Sequence, residues 1–180
     1  MNLAIASSLS ERLLASDGLA EADRRTLVQA AARLRRAARD GGPAPLLAGR
    51  HVAIAAAEPS ACADADATAA EAVFERAARA LGARVSRIAP DLLCDDGQAD
   101  CQSTCHAAAR LIPRLYDAVD CHVGSAAHAL ALHREAGVPV YLALAGEAHP
   151  IRQLMAELEG EDEDAVLVSL VQAVLVETLA

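Results

Sequence analysis

The stretch that most restricts what this chain can become is residues 51–82. His51-Val-Ala-Ile-Ala-Ala-Ala57 is a short apolar run, Glu58-Pro-Ser-Ala-Cys-Ala-Asp64 reads as a loop, and the residues from Thr68 to Gly82 carry apolar side chains at the 3.6-residue period of a helix. A strand without a polar face belongs in a parallel sheet covered on both sides. The loop it delivers then lies at the carboxyl edge, where such sheets bind ligands. Thr68-Ala-Ala-Glu71 has the form of a capping box and Gly82 suits a left-handed C-cap, so a helix is expected between them.

The same alternation runs through the rest of the chain. A helix is expected from Ala20 to Asp40, with Leu27, Ala31, Leu34 and Ala38 in one apolar stripe and Gly41-Gly42-Pro43 as its stop. Arg84 to Ile88 reads as strand two, and residues 89–101 as an irregular loop. A helix from Ser103 to Tyr116 follows, with Pro113 as a point where it should kink or break. Ala118 to Val123 reads as strand three, and Gly124-Ser125 opens a helix that ends at Gly137. Val138 to Leu144 reads as strand four, Pro150 is placed to open another helix, and a last apolar helix spans 164–179. Four strands alternating with helices predict an α/β fold, a three-layer α/β/α arrangement with a four-stranded parallel sheet. Residues 1–180 are expected to form a single domain, with the 164–179 helix packing back on it.

Hydrophobic residues make up 54% of the sequence but aromatic ones only 2%, so the core has to be close-packed Ala, Leu, Val and Ile. The formal net charge of −9, with an acid run at 161–164 and no basic stripe, argues against nucleic acid as a partner. No window approaches the roughly eighteen apolar residues of a membrane span, and the first sixteen residues lack the pattern of a signal peptide. A cytoplasmic protein without membrane contact is expected. Five cysteines, an odd number, then argue for free thiols or metal ligands over a disulfide framework.

Leu46-Leu-Ala-Gly-Arg50, the 51–57 strand, Glu58-Pro59-Ser60 and Phe74-Glu75-Arg-Ala-Ala-Arg-Ala-Leu81-Gly82 together resemble the first ligand loop of the aspartate/ornithine carbamoyltransferases. Asp117-Ala-Val resembles that family's third strand, Gly137-Val-Pro-Val140 its fourth, and His149-Pro-Ile-Arg152 its His-Pro-x-Gln motif. Val171 to Leu179 is similar to the helix that closes the ornithine enzymes. The resemblance implies the carbamoyl-phosphate-binding half of that fold, a strand order of 2-1-3-4, and a homotrimer in which the loop after strand two crosses to a neighbouring subunit's site. The family's amino-acid-binding domain would be missing between Gly160 and the last helix.

In the family a Ser-Thr-Arg-Thr-Arg motif holds carbamoyl phosphate. Here Ser60-Ala61-Cys62-Ala63-Asp64 stands in its place, and the stretch from Pro59 to Phe74 is longer. His122 falls where the family has the arginine of its third strand, and Arg152 replaces the Gln of His-Pro-x-Gln. Ser60 and His149 are the ligand contacts that survive. Without its guanidinium fork the site forfeits charge-assisted bonds individually worth about 1.5–3 kcal/mol, so neither carbamoyl phosphate binding nor carbamoyl transfer is expected of this chain.

Cys62, Cys121 and His122 should reach the same carboxyl edge as His149. Cys94, Cys101, Cys105 and His106 lie on the loop and helix after strand two, which the family's trimer would bring to a neighbour's site. Thiolate and imidazole suit zinc, copper or an iron–sulfur cluster, although Cys94-x6-Cys101-x3-Cys105-His106 matches no standard spacing. Three functional readings stay open. The leading one is a degenerate carbamoyltransferase-like protein whose former active site holds a metal ion or iron–sulfur cluster through Cys62, Cys94, Cys101, Cys105, His106, Cys121 and His122. The second is a pseudoenzyme that scaffolds another protein, its cysteines incidental and Cys121 a small buried hydrophobe. The third is a thiol-dependent enzyme with Cys62 as nucleophile and His122 or His149 as base. His51, His128 and His133 are expected to be ordinary surface or helix residues, and Asp64 and Asp66 loop acids.

Overall fold

The structure is a computed structural model, and it describes residues 9–14, 19–41, 45–57, 65–90, 93, 109–158 and 162–180. Strand β1, His51–Ala55, has Val52, Ala53, Ile54 and Ala55 all buried, which fits only a central strand. It pairs in parallel with β2, Arg84–Ile88, on one side and with β3, Ala118–Cys121, on the other. β3 pairs in parallel with β4, Val140–Leu142, so the order is β2-β1-β3-β4. Ala55 is level with Ile88 and Cys121, and Cys121 with Leu142, so the carboxyl ends of the strands finish at one edge.

Helix α1 spans Glu21–Arg39, α2 Ala65–Ala80, α3 Ala126–Ala136 and α4 Glu163–Leu179. Alternate side chains of β1 face opposite layers. Val52 and Ile54 join the apolar cluster built with α1, α2 and α4, whereas Ala53 and Ala55 join the one built with α3 and the helical residues 109–115. α4 lies against both α1 and α2, and residues all around it are buried, as a helix with no polar face requires. Asp162 caps it: its Oδ1 accepts from the N–H groups of Asp164 and Ala165 at 3.1 and 3.2 Å. No helix among the described residues is long and apolar enough to cross a membrane.

Several boundaries differ from expectation. α2 begins at Ala65, three residues before Thr68, so the apparent capping box lies inside the helix. Its acid has a tertiary use instead, since Glu71 is buried and pairs with Arg87 of β2. Ala38 is exposed and Ala30 completes the α1 stripe in its place. β3 and β4 are shorter than the apolar runs that announced them. The helix after His149 is a 3₁₀ helix, Pro150–Glu157, and the helical residues 109–115 continue through Pro113 without a break. Ser125 and Gly137 act as expected: the Ser125 hydroxyl accepts from the His128 N–H, and Gly137 ends α3 at φ 70°, a left-handed conformation free of steric cost for glycine. Gly82 ends the turn after α2 at φ 85°, where an added Cβ would lie 2.9 Å from the Pro45 Cβ.

Candidate functional site at the carboxyl edge

The chain leaves β1 towards β2 on one side and returns through β3 on the other, so the crevice at the carboxyl ends of β1 and β3 is the topological switch point. Asp120, on β3, has no exposed surface. A buried carboxylate survives only where its charge is met, and here both oxygens are engaged. Oδ1 accepts the Leu144 N–H at 3.0 Å, and Oδ2 lies 3.0 Å from His122 Nε2.

His122 follows β3 with a side chain only 3% exposed. Burial alone would lower its pKa, but the hydrogen bond and charge of Asp120, aided by the charge of Glu71, outweigh burial and hold it above the ordinary histidine value. His149 has the opposite balance. Burial pushes its pKa down to about 4 despite the attraction of Asp120, so the ring is neutral near pH 7. Its Nδ1 caps the 3₁₀ helix by accepting the Ile151 N–H at 3.3 Å, which places the ring proton on Nε2. The Arg152 N–H donates to the His149 carbonyl at 3.1 Å. An Arg152 terminal nitrogen donates to the Ala145 carbonyl at 3.3 Å.

The 143–146 loop is tight. Ala143 has φ 45°, an uncommon left-handed conformation for a residue with a side chain. Its N–H donates to the Cys121 carbonyl and its carbonyl accepts from Gly146, where a Cβ would lie 2.9 Å from the Ala143 oxygen. Beyond the loop a cleft of about 570 Å³ is lined by Leu13, Leu14, Ala126, Ala143, His149 and Gln153, among others, a volume suited to a small ligand. Among the described residues, three buried side-chain nitrogens around Asp120 and this loop have no hydrogen-bond partner: His122 Nδ1, His149 Nε2 and Arg152 Nε.

His122 and His149 are thus brought together around Asp120. Cys121 is separated from them by strand alternation: it is buried in the cluster with Ala109, Ile112 and Val119, whereas Asp120 faces the other layer. Ser60, Cys62, Cys94, Cys101, Cys105 and His106 lie outside the described residues. Among the described residues no group of three or more His, Cys, Asp or Glu could hold a metal ion. The other histidines have local duties. His51 Nε2 pairs with the Ser86 hydroxyl and its ring lies 4.8 Å from that of Tyr116, and buried His133 meets the Val138 carbonyl at 2.8 Å. Sequence reading passed over Asp120, Glu71 and Arg87. For Asp120 a signal was present, because a carboxylate in the middle of Ala118-Val-Asp-Cys121 interrupts a strand otherwise fit for complete burial.

No protein-family model matches the sequence, and a search of curated proteins finds no match. Solved structures do match. Ornithine carbamoyltransferase from Pyrococcus furiosus is 25% identical with a TM-score of 0.58, over 75% of this chain and 40% of that one. Ornithine carbamoyltransferase from Thermus thermophilus is 22% identical with a TM-score of 0.60, over 82% and 46%. The catalytic subunit of M. jannaschii aspartate transcarbamoylase is 20% identical with a TM-score of 0.57, over 77% and 42%. The fold is that of a carbamoyltransferase half. The chain spans less than half the length of the carbamoyltransferases it matches, and the strand order implied by the sequence resemblance is the order observed.

Proposed function

We propose that this carbamoyltransferase-like chain has no transferase activity of its own and uses the carboxyl edge of its sheet to hold a small anion. The observation that carries this reading is the trio of buried, unpartnered nitrogens on His122, His149 and Arg152. Each such group left dry costs about 1–3 kcal/mol, a cost that an anion accepting its N–H would relieve. A metal or iron–sulfur site is the second reading, favoured by the Asp120–His122 pair, because a carboxylate on one imidazole nitrogen with the other left free is the arrangement of many metal-bound histidines. In that reading His122 Nδ1 acts with thiolates from Cys62, Cys94, Cys101 and Cys105, and with His106. His149 does not suit it, since its Nε2 carries the proton.

One set of measurements separates the two. On the anion reading, anaerobically purified protein is metal-free with titratable thiols, forms no citrulline or carbamoyl-aspartate, and is stabilised against heat by millimolar acetate or phosphate. His149→Ala and Arg152→Met should each weaken that effect about tenfold. Bound zinc, copper or iron that is lost when Cys62, Cys101 and Cys105 become Ser would put the metal reading first. Product formation by the isolated chain would overturn the absence of transferase activity.

The homotrimer belongs to the same proposal. Leu111 and Leu115, one helical turn apart, are 56% and 57% exposed, which supports an apolar contact with another copy. Light scattering should give a trimer at micromolar concentration and a monomer for the Leu111→Glu, Leu115→Glu double variant. A monomeric unsubstituted chain would refute it.

A further inference from the structure

The cleft beyond the 143–146 loop has a chemistry of its own. Its walls come from three separate pieces of the chain: Leu13 and Leu14 from the helical residues 9–14, Ala126 from the start of α3, and Leu142 and Pro150 from β4 and the 3₁₀ helix. Each piece is tied down. Leu13 and Leu14 are buried in opposite layers of the sheet, and the segment that carries them is pinned by Arg12 to Asp23 of α1 and by Glu11 to Arg134 of α3. Between Leu142 and Pro150 the chain is held by the Asp120 bond to the Leu144 N–H and by the bond from the Gly146 N–H to the Ala143 carbonyl at 2.7 Å. The cavity of about 570 Å³ is therefore shaped before any ligand arrives. Its lining carries one sign of charge. Glu147 is exposed there, no Arg or Lys lines the cleft, and His149 is neutral near pH 7. Arg152 adjoins Gln153 but is not part of the lining, and its terminal nitrogen is bound to the Ala145 carbonyl. Glu147 has no ion-pair or hydrogen-bond partner among the described residues.

We infer that this cleft binds a small organic ammonium, a protonated primary amine with an unbranched apolar chain, the ammonium against Glu147 and the chain along Leu13, Leu14 and Leu142. Such a ligand needs none of the three unpartnered nitrogens, so the site stands or falls apart from the anion reading above. Its two contributions differ in size. Burying a methylene against the walls tightens binding about fourfold. An ion pair with an exposed carboxylate adds a factor of about five at most, because water competes for both partners. The walls therefore set the affinity, and Glu147 sets the sign of charge that is accepted.

The test is titration of the full chain at pH 8 and constant ionic strength with pentylammonium, pentanol and pentanoate, read from the amide NMR shifts of Ala126, Gly146 and Gln153. Shifts at those positions report the cleft and not an anion held elsewhere on the carboxyl edge. Pentylammonium should bind about fivefold more tightly than pentanol, and pentanoate least tightly. Propylammonium, two methylenes shorter, should bind about tenfold more weakly than pentylammonium. Glu147→Gln should bring pentylammonium to the level of pentanol, and Glu147→Lys should put pentanoate first. Ala126→Phe, which fills the cleft from the start of α3, should weaken all three about tenfold. Pentanoate binding as tightly as pentylammonium, or an order that Glu147→Lys leaves unchanged, would overturn the ammonium inference. Pentylammonium binding that is indifferent to chain length and to Ala126→Phe would overturn the cleft as its place. No shift at any of the three amides would overturn the site itself.

Discussion

Phe74→Ala is expected to destabilise the chain by about 3–5 kcal/mol, a large part of the roughly 5–15 kcal/mol that holds a typical domain together. Phe74 is the only phenylalanine in the sequence, and it has no exposed surface. Around it the cluster is made of Ala, Leu and Val from α1, α2 and α4, small side chains whose positions are fixed by close helix packing. Such a wall collapses poorly into a cavity, because moving one helix inward disturbs its contacts with the next. The ring also lies 6.2 Å from that of Tyr141 at an interplanar angle of 54°, a tilted pair that contributes about 0.5–1.5 kcal/mol beyond its buried area. Urea unfolding followed by circular dichroism gives the loss directly. A loss below about 1 kcal/mol would mean that the helices close around the gap, contrary to a core packed to crystal-like density. Phe74→Leu, which keeps most of the volume, should cost about 1.5 kcal/mol or less.

The sheet was legible in the sequence because each strand carries its own evidence. Val52 to Ala55 is apolar on both faces, which only a central parallel strand accommodates, and Gly82 and Gly137 stand where a left-handed residue must end a helix. What failed is what tertiary contacts decide. Thr68-Ala-Ala-Glu71 reads the same at a helix start and inside a helix, and the Arg87 side chain on a different element claims Glu71. At the site, Cys121 and His122 are neighbours in sequence yet belong to different environments, one in the apolar cluster behind the sheet and the other beside Asp120. The cap that His149 sets on Ile151 depends on the backbone tightening into a 3₁₀ helix, for which the composition of 150–157 gives no sign. Asp120 was the readable clue, since an acid within a buried strand has to be holding something.

Removing that acid is the second large effect. Asp120→Ala should cost about 3–5 kcal/mol, because it leaves His122 buried without a counter-charge and the Leu144 N–H without an acceptor. Asp120→Asn keeps an acceptor for Leu144 and removes only the charge, so its cost should be smaller and should depend on pH. In the unsubstituted protein the His122 pKa is raised above 6.5, so the pair's stabilisation is complete below that value and is lost as pH rises through the folded-state pKa. Without the Asp120 charge, burial, the largest influence on the ring, is opposed only by Glu71 and should push its pKa below 6.5. The contribution then changes sign, with stability present at higher pH and lost on acidification. His149, whose pKa is already lowered to about 4, stays neutral in both proteins above pH 5.5 and leaves the difference to His122. The stability gap between Asp120→Asn and the unsubstituted chain should therefore widen steadily from pH 8 to pH 5.5 in urea titrations. A gap that stays constant over that range would show that Asp120 acts on the fold through its hydrogen bonds alone, and that no charge on His122 depends on it.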